Sequence, residues 1–238
     1  DYHFVSNQLA KKRLIQLGED KNSIFNHGDN HIDSLKKVRF ENIKFLTKKN
    51  GINIDKEYVV LLFHPDGTSF KKNKIFIKEI LISLKKVGIQ VHCIYPCTDI
   101  GYEEIIDQLE KISKINKLFN FYKNLNYSLF INLVKNSKFL IGNSSSGIIE
   151  SSYLNVPVIN LGDRQKNRMS CSNVINCKIN NRQIDNAIKY ILSGKLKKKI
   201  KRTKPIYGNG ESYLKNFKVI RKLLNQKSTH YNKIFNEL

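Results

Sequence analysis

Three serines stand between two glycines in the segment Gly142-Asn143-Ser144-Ser145-Ser146-Gly147-Ile148-Ile149-Glu150. A strand pattern over 138–141 precedes them and a helical pattern through Tyr153 follows. Amide N–H groups at the start of a helix lack partners inside it and carry partial positive charge, so this loop is expected to bind an anion. Gly142 and Gly147 would let the backbone approach a phosphate, and Ser144 and Ser145 would add hydroxyl donors. The blander alternative is a plain helix cap, because serine is a preferred N-cap and Ser-Gly stretches make turns. Three details favour the anion. Glu150 follows the serines by about one helical turn, where its carboxylate can accept both hydroxyls of a ribose. Pro157 and its strand place Gly162-Asp163-Arg164-Gln165 at the same sheet edge. Arg164 is one of seven arginines in a chain that otherwise uses lysine, and the guanidinium fork suits a diphosphate.

The elements that must carry this segment alternate between short apolar runs and helical periodicity, the pattern of an α/β domain with parallel strands. Strands are expected over 58–63, 89–95, 118–121, 138–141, 156–161 and 174–177. Helices are expected over 75–87, 101–113, 127–134, 182–192 and 212–224. The run Tyr58-Val59-Val60-Leu61-Leu62-Phe63 reads as a strand buried on both faces, ended by His64 and Pro65. Gly88 stands where a helix C-cap belongs. Right-handed crossovers should bring the working loops to the C-terminal ends of the strands. The expected organisation is a single domain over 1–238, with a leading strand-helix unit over 1–45, the main sheet over 46–225 and a terminal helix over 226–238. In the leading unit, strand, helix and strand over 2–27 run into a loop containing Gly28 and Asp33, and the unit is expected to pack on the sheet edge.

Composition bounds what the site can serve. The chain has 238 residues, 40% hydrophobic and 26% charged, which suits a globular domain. No apolar run approaches the roughly 20 residues of a membrane helix. A net charge of +22 invites a nucleic-acid reading. Its excess is lysine spread along the chain, whereas arginine is the usual reader of bases, so nucleic acid is not the expected partner. The dense run over 195–204 reads as an exposed helix or loop. Cys93, Cys97, Cys171 and Cys177 form no metal-like or disulfide pattern, which points to a reducing, cytoplasmic setting with no metal. The chain opens on Asp1, shows no leader and reads as a fragment.

At this point the residues carry a resemblance. Gly142-Asn143-Ser144-Ser145-Ser146-Gly147-Ile148-Ile149-Glu150, followed by Asn155-Val156-Pro157-Val158-Ile159-Asn160-Leu161-Gly162-Asp163-Arg164, resembles the signature of the hydrolysing UDP-N-acetylglucosamine 2-epimerases. His64-Pro65 is similar to that family's HP motif, and Tyr207-Gly208-Asn209-Gly210-Glu211-Ser212 to its late loop. The opening His3-Phe4-Val5 with Lys11-Lys12-Arg13-Leu14 is similar to the start of its C-terminal half. The resemblance implies a Rossmann-like parallel sheet with helices on both faces, the C-terminal nucleotide-binding domain of a GT-B fold. It implies that Ser144 and Ser145, with Gly147 between them and the helix, hold the pyrophosphate. Glu150 would hold the ribose, Arg164 a phosphate, and His64 would transfer a proton as a group titrating near neutrality. The implied partners are UDP and UDP-N-acetylglucosamine or a related UDP-N-acyl sugar, with no added cofactor, and a homo-oligomer is compatible with the pattern. The implied reaction eliminates UDP and hydrates the intermediate to N-acetylmannosamine, within sialic-acid-type sugar synthesis. Two departures stand out. Asp66-Gly67-Thr68 puts a carboxylate beside His64, which would either raise the histidine pKa or disturb the site. The family's N-terminal catalytic domain is absent, so the chain alone is expected to bind UDP without turnover. A non-hydrolysing epimerase, a GT-B glycosyltransferase donor domain and a basic polyanion-binding domain are the alternatives.

Overall fold

The computed structural model describes residues 1–54, 57–67, 70–200 and 205–225. Thr68, the end of the lysine run over 201–204 and the expected helix over 226–238 lie outside them. In chain order the elements are β1 (His3–Val5), α1 (Gln8–Gln16), β2 (Ile24–Asn26), α2 (Asn30–Lys36), α3 (Ile43–Lys49), β3 (Tyr58–Leu62), α4 (Asn73–Val87), β4 (Gln90–Ile94), α5 (Tyr102–Ile115) and β5 (Phe119–Tyr122). They continue with α6 (Tyr127–Asn136), β6 (Leu140–Gly142), α7 (Glu150–Leu154), β7 (Val158–Leu161), β8 (Val174–Cys177), α8 (Asn181–Leu192), α9 (Lys195–Ile200) and α10 (Ser212–Leu224). Among the described residues no helix is long and apolar enough to cross a membrane.

The chain divides into two compact units, Arg39–Thr203 and Asp1–Val38 with Lys204–Leu238. The first is built on a six-stranded sheet in the order β5-β4-β3-β6-β7-β8, with every neighbouring pair parallel. Strand β3 is buried at all five positions, as a central parallel strand covered on both faces must be. Side chains alternate about the sheet. Val59, Leu61, Phe63, Val91, Cys93, Ile141, Ile159 and Leu161 share one face and pack with Ile77, Ile80, Leu84 of α4, Ile105 and Leu109 of α5, and Ile184 and Ile188 of α8. The opposite face carries Tyr58, whose hydroxyl donates to the Leu133 carbonyl of α6 at 2.8 Å. Gly88 ends α4 at φ 68° in the left-handed region, as its position after the apolar stripe foretells.

Farther along that second face the sheet turns polar. His92 has no exposed surface. Its Nδ1 lies 3.0 Å from the Tyr122 hydroxyl, and its ring meets Tyr58 edge-on at 4.9 Å. Burial away from water pushes its pKa down to about 4, because the charged imidazolium loses its hydration.

The second unit has its own two-stranded parallel sheet, β1 beside β2. Residues 30–36 form α2, not the expected loop. Asp29 starts this helix as its N-cap, accepting the His31 N–H at 2.9 Å. Asp33 is thereby buried against the start of α10. Its carboxylate accepts the Ser212 N–H at 2.9 Å, the Tyr213 N–H at 2.8 Å and the Ser212 hydroxyl. Gly28 and Gly208 both have positive φ, and a Cβ on Gly28 would stand 2.8 Å from the Tyr207 carbonyl oxygen. The Tyr207-Gly208-Asn209-Gly210 stretch therefore folds as it does to bring two backbones together. α10 belongs to this unit, and the compact division falls between Val38 and Arg39.

Candidate functional site

Strands β3 and β6 are neighbours, yet the chain leaves β3 toward β4 on one side and β6 toward β7 on the other. Such a reversal opens a crevice beyond the C-terminal ends of the two strands, the usual ligand position in an open parallel sheet. Four strand ends deliver the chemistry there. Phe63, His64 and Pro65 follow β3, residues 95–99 follow β4, Asn143 and the serines follow β6, and residues 162–165 follow β7.

Asn143 joins these ends, and the sequence reading gave it no role. Its Oδ1 accepts the His64 N–H at 2.7 Å, and its Nδ2 donates to the His64 carbonyl at 2.9 Å. Its own carbonyl accepts from Gln165 Nε2 at 2.9 Å and Arg164 Nη1 at 3.3 Å. The available signal was an amide side chain directly after a strand-ending glycine, able to donate and accept at once. Gln165 was also passed over, although it is as buried as a core residue.

The serine turn differs in detail from expectation. Ser144 is the cap, its Oγ accepting the Ser146 N–H at 3.3 Å, and residues Ser145–Gly147 form a 3₁₀ turn. The Gly147, Ile148 and Ile149 amides are spent on the Ser144 and Ser145 carbonyls. The turn's own bonds do not use the Ser144 and Ser145 amides, so these are the donors available to an anion. The α-helix proper, α7, has five residues and stops at Asn155 in the left-handed conformation. Its dipole is correspondingly small, and the positive field of the site rests on Arg164 more than on a helix end. The glycines also have other work. A Cβ on Gly142 would collide with the Leu62 carbonyl oxygen at 1.9 Å, and one on Gly147 would press on Val158 at 3.1 Å. They serve the close approach of β6 to β3 and of the turn to β7. Glu150 opens α7 and is 5% exposed, at the base of the turn.

His64 is half-buried, and its Nδ1 accepts the Cys97 amide N–H at 2.9 Å. That bond leaves the proton of the neutral ring on Nε2. Burial and, secondarily, the Arg164 charge lower its pKa, Asp99 opposes both, and together they bring it down to about 4. The expectation of a group titrating near neutrality, raised by Asp66, is thus reversed. Asp66 is not among the influences on it, whereas desolvation and a neighbouring cation are. Arg164 Nη1 donates to the Asn143 carbonyl, and Asp99 Oδ2 is a loose partner at 3.9 Å. The thiol of Cys97 donates to the same Asp99 oxygen at 3.0 Å, and burial holds it in the protonated form by raising its pKa. Among the described residues no group of three or more His, Cys, Asp or Glu could hold a metal ion. The structure therefore gathers His64, Ser144, Ser145 and Arg164 around Asn143. Tyr207-Gly208-Asn209-Gly210 belongs to the other compact unit.

Two neutral histidines, His92 buried and His64 half-buried, make stability depend on acid. Both His64 and His92 have folded pKa values near 4, below the ordinary 6.5. The unfolded chain therefore takes up their protons first, and stability falls as pH drops from about 6.5 to about 4. Each group contributes a slope of up to about 1.4 kcal/mol per pH unit inside that window. Urea midpoints measured at several values between pH 7.5 and 4 should fall steadily, and less steeply in His92→Phe.

A family model described as UDP-N-acetylglucosamine 2-epimerase matches residues 1–221. The GDP/UDP-N,N'-diacetylbacillosamine 2-epimerase (hydrolyzing) of Campylobacter jejuni is 36% identical over 203 residues, covering 82% of this chain and 51% of that protein. The UDP-N,N'-diacetylbacillosamine 2-epimerase (hydrolyzing) of Legionella pneumophila is 29% identical over 211 residues, with 89% and 55% covered. The chain spans about half the length of the curated relatives it matches. The solved UDP-GlcNAc 2-epimerase of Neisseria meningitidis, bound to UDP-GlcNAc, superposes with TM-score 0.75 at 17% identity, covering 93% of this chain and 61% of that one. The fold is that of the GT-B epimerases, as expected from the sequence. A match running from residue 1 to 221 takes in both compact units, and the chain belongs to the UDP-N-acetylglucosamine 2-epimerase family.

Proposed function

We propose that this chain is the nucleotide-binding half of a hydrolysing 2-epimerase acting on a UDP-linked N-acyl amino sugar. The observation that carries the reading is the convergence of His64, the serine turn and Arg164 at the switch point between β3 and β6. The Ser144 and Ser145 amides and hydroxyls, with Arg164, hold the diphosphate, Glu150 accepts the ribose hydroxyls, and His64 presents Nε2–H to the departing oxygen. A neutral N–H can stabilise the charge that grows on that oxygen without being ionised beforehand, since electrostatic stabilisation needs only a placed donor. Elimination breaks the C1–O bond and the C2–H bond together, releasing UDP and leaving a 1,2-unsaturated sugar. Water then adds across that double bond with inverted configuration at C2, giving a free sugar of the N-acylmannosamine type.

The proton at C2 needs a base, which we assign to the part of the enzyme outside this chain. The hydrolysing diacetamido-sugar relatives support a UDP-diacetamido sugar beside UDP-N-acetylglucosamine as substrate, and the setting we propose is sialic-acid-type sugar synthesis. The 238-residue chain alone is expected to bind UDP and to leave both UDP-sugars intact when followed by ³¹P NMR. Release of UDP by the chain alone would overturn this division of labour. Formation of an epimerised UDP-sugar by the whole enzyme, in place of a free sugar, would overturn the hydrolytic assignment.

A further inference from the structure

Asn143 is 1% exposed and stands where three loops of the site meet. Its side chain bonds the His64 main chain in both senses, and its carbonyl receives Arg164 and Gln165. Only an amide fits this place. A carboxylate has no donor for the His64 carbonyl, and an aliphatic side chain would leave both His64 backbone groups without their partner.

We propose that Asn143 is a positioning residue, fixing the His64 backbone and the Arg164 side chain at a set separation before the diphosphate arrives. Its role rests on the diphosphate reading of the site. The imidazole can keep its bond to the Cys97 amide only while the His64 backbone is held. Arg164 would otherwise sample many rotamers, and a guanidinium already tethered at one N–H loses less freedom when a phosphate takes the others. Asn143 thus acts through two neighbours and touches no ligand with its side chain.

The test compares Asn143→Ala and Asn143→Asp with the unmodified chain and with Arg164→Ala. UDP affinity is read by calorimetry and the His64 ring nitrogens by long-range ¹H–¹⁵N spectra. The unmodified chain should show a single neutral tautomer with its proton on Nε2. Both Asn143 variants should lose that signature and bind UDP about tenfold more weakly. Unchanged ring spectra and unchanged affinity in both variants, with Arg164→Ala still weakened, would overturn the positioning role and spare the site. An unmodified chain that does not bind UDP, or an Arg164→Ala chain that binds it equally well, would remove the site and the positioning role with it. Should neither Asn143 variant fold, exchange of the His64 amide in the unmodified chain decides: slow exchange is expected, and exchange at the rate of an exposed loop would overturn the proposal.

Discussion

Gly142→Ala is expected to unfold the sheet-bearing unit under conditions where the unmodified chain is stable. A Cβ at this position would stand 1.9 Å from the Leu62 carbonyl oxygen and 2.5 Å from its carbon. Those atoms belong to the backbone of β3, in register with Gly142, so no side chain can swing away to make room. The φ of 147° adds conformational strain for any L-residue other than glycine. Relief would require β6 to move away from β3 at the centre of the sheet, and the expected cost is about 4 kcal/mol or more against a total stability of about 5–15 kcal/mol. Urea denaturation followed by far-UV circular dichroism would read it. Gly88→Ala is the control. Gly88 is also left-handed, at φ 68°, but a Cβ there meets nothing within 4 Å, so only the conformational penalty of about 1 kcal/mol remains. Equal costs at the two positions would contradict the steric account.

Arg164→Ala should lower UDP affinity by about 10- to 150-fold, the equivalent of losing a charge-assisted hydrogen bond of about 1.5–3 kcal/mol. Among the described residues its guanidinium makes one hydrogen bond, to Asn143 at 3.3 Å, which leaves most of its fork for a phosphate. Asp99 adds to the loss, since its carboxylate would face the diphosphate without the guanidinium beside it. Arg164→Lys should recover only part of the affinity, because an ammonium keeps the charge and loses the fork. The loss should shrink as salt rises, because both contributions are electrostatic. Calorimetric titrations with UDP at two salt concentrations would measure it.

Much of this was legible in the residues, for reasons that differ by element. The main-sheet strands and α4, α5, α6, α8 and α10 followed from apolar runs and helical spacing, since burial on one or two faces leaves a periodic trace. Gly88 foretold the end of α4 because a left-handed C-cap almost requires glycine. α2 went unread because its N-cap, Asp29, sits beside Gly28 and the stretch looks like a loop. The chain's division was hidden as well: Asp33 and Ser212 are 179 residues apart, and no local pattern links them. In the site, the serines and Arg164 stood out by type and spacing. Asn143 did not, because its work is to bond His64 from a distant strand. The sign of the His64 shift could not be read either, since the adjacent Asp66 suggested a raised pKa while burial and Arg164 set it low.

The central claim is the location of the diphosphate, and an amide-resolved titration of the labelled chain with UDP tests it most directly. The Ser144, Ser145 and His64 amides and the Arg164 side-chain N–H should shift in proportion to one binding isotherm. Those of α9, with its exposed lysines, should remain in place. Shifts concentrated on Lys195–Ile200 and its neighbours, with the serine turn unmoved, would contradict the account.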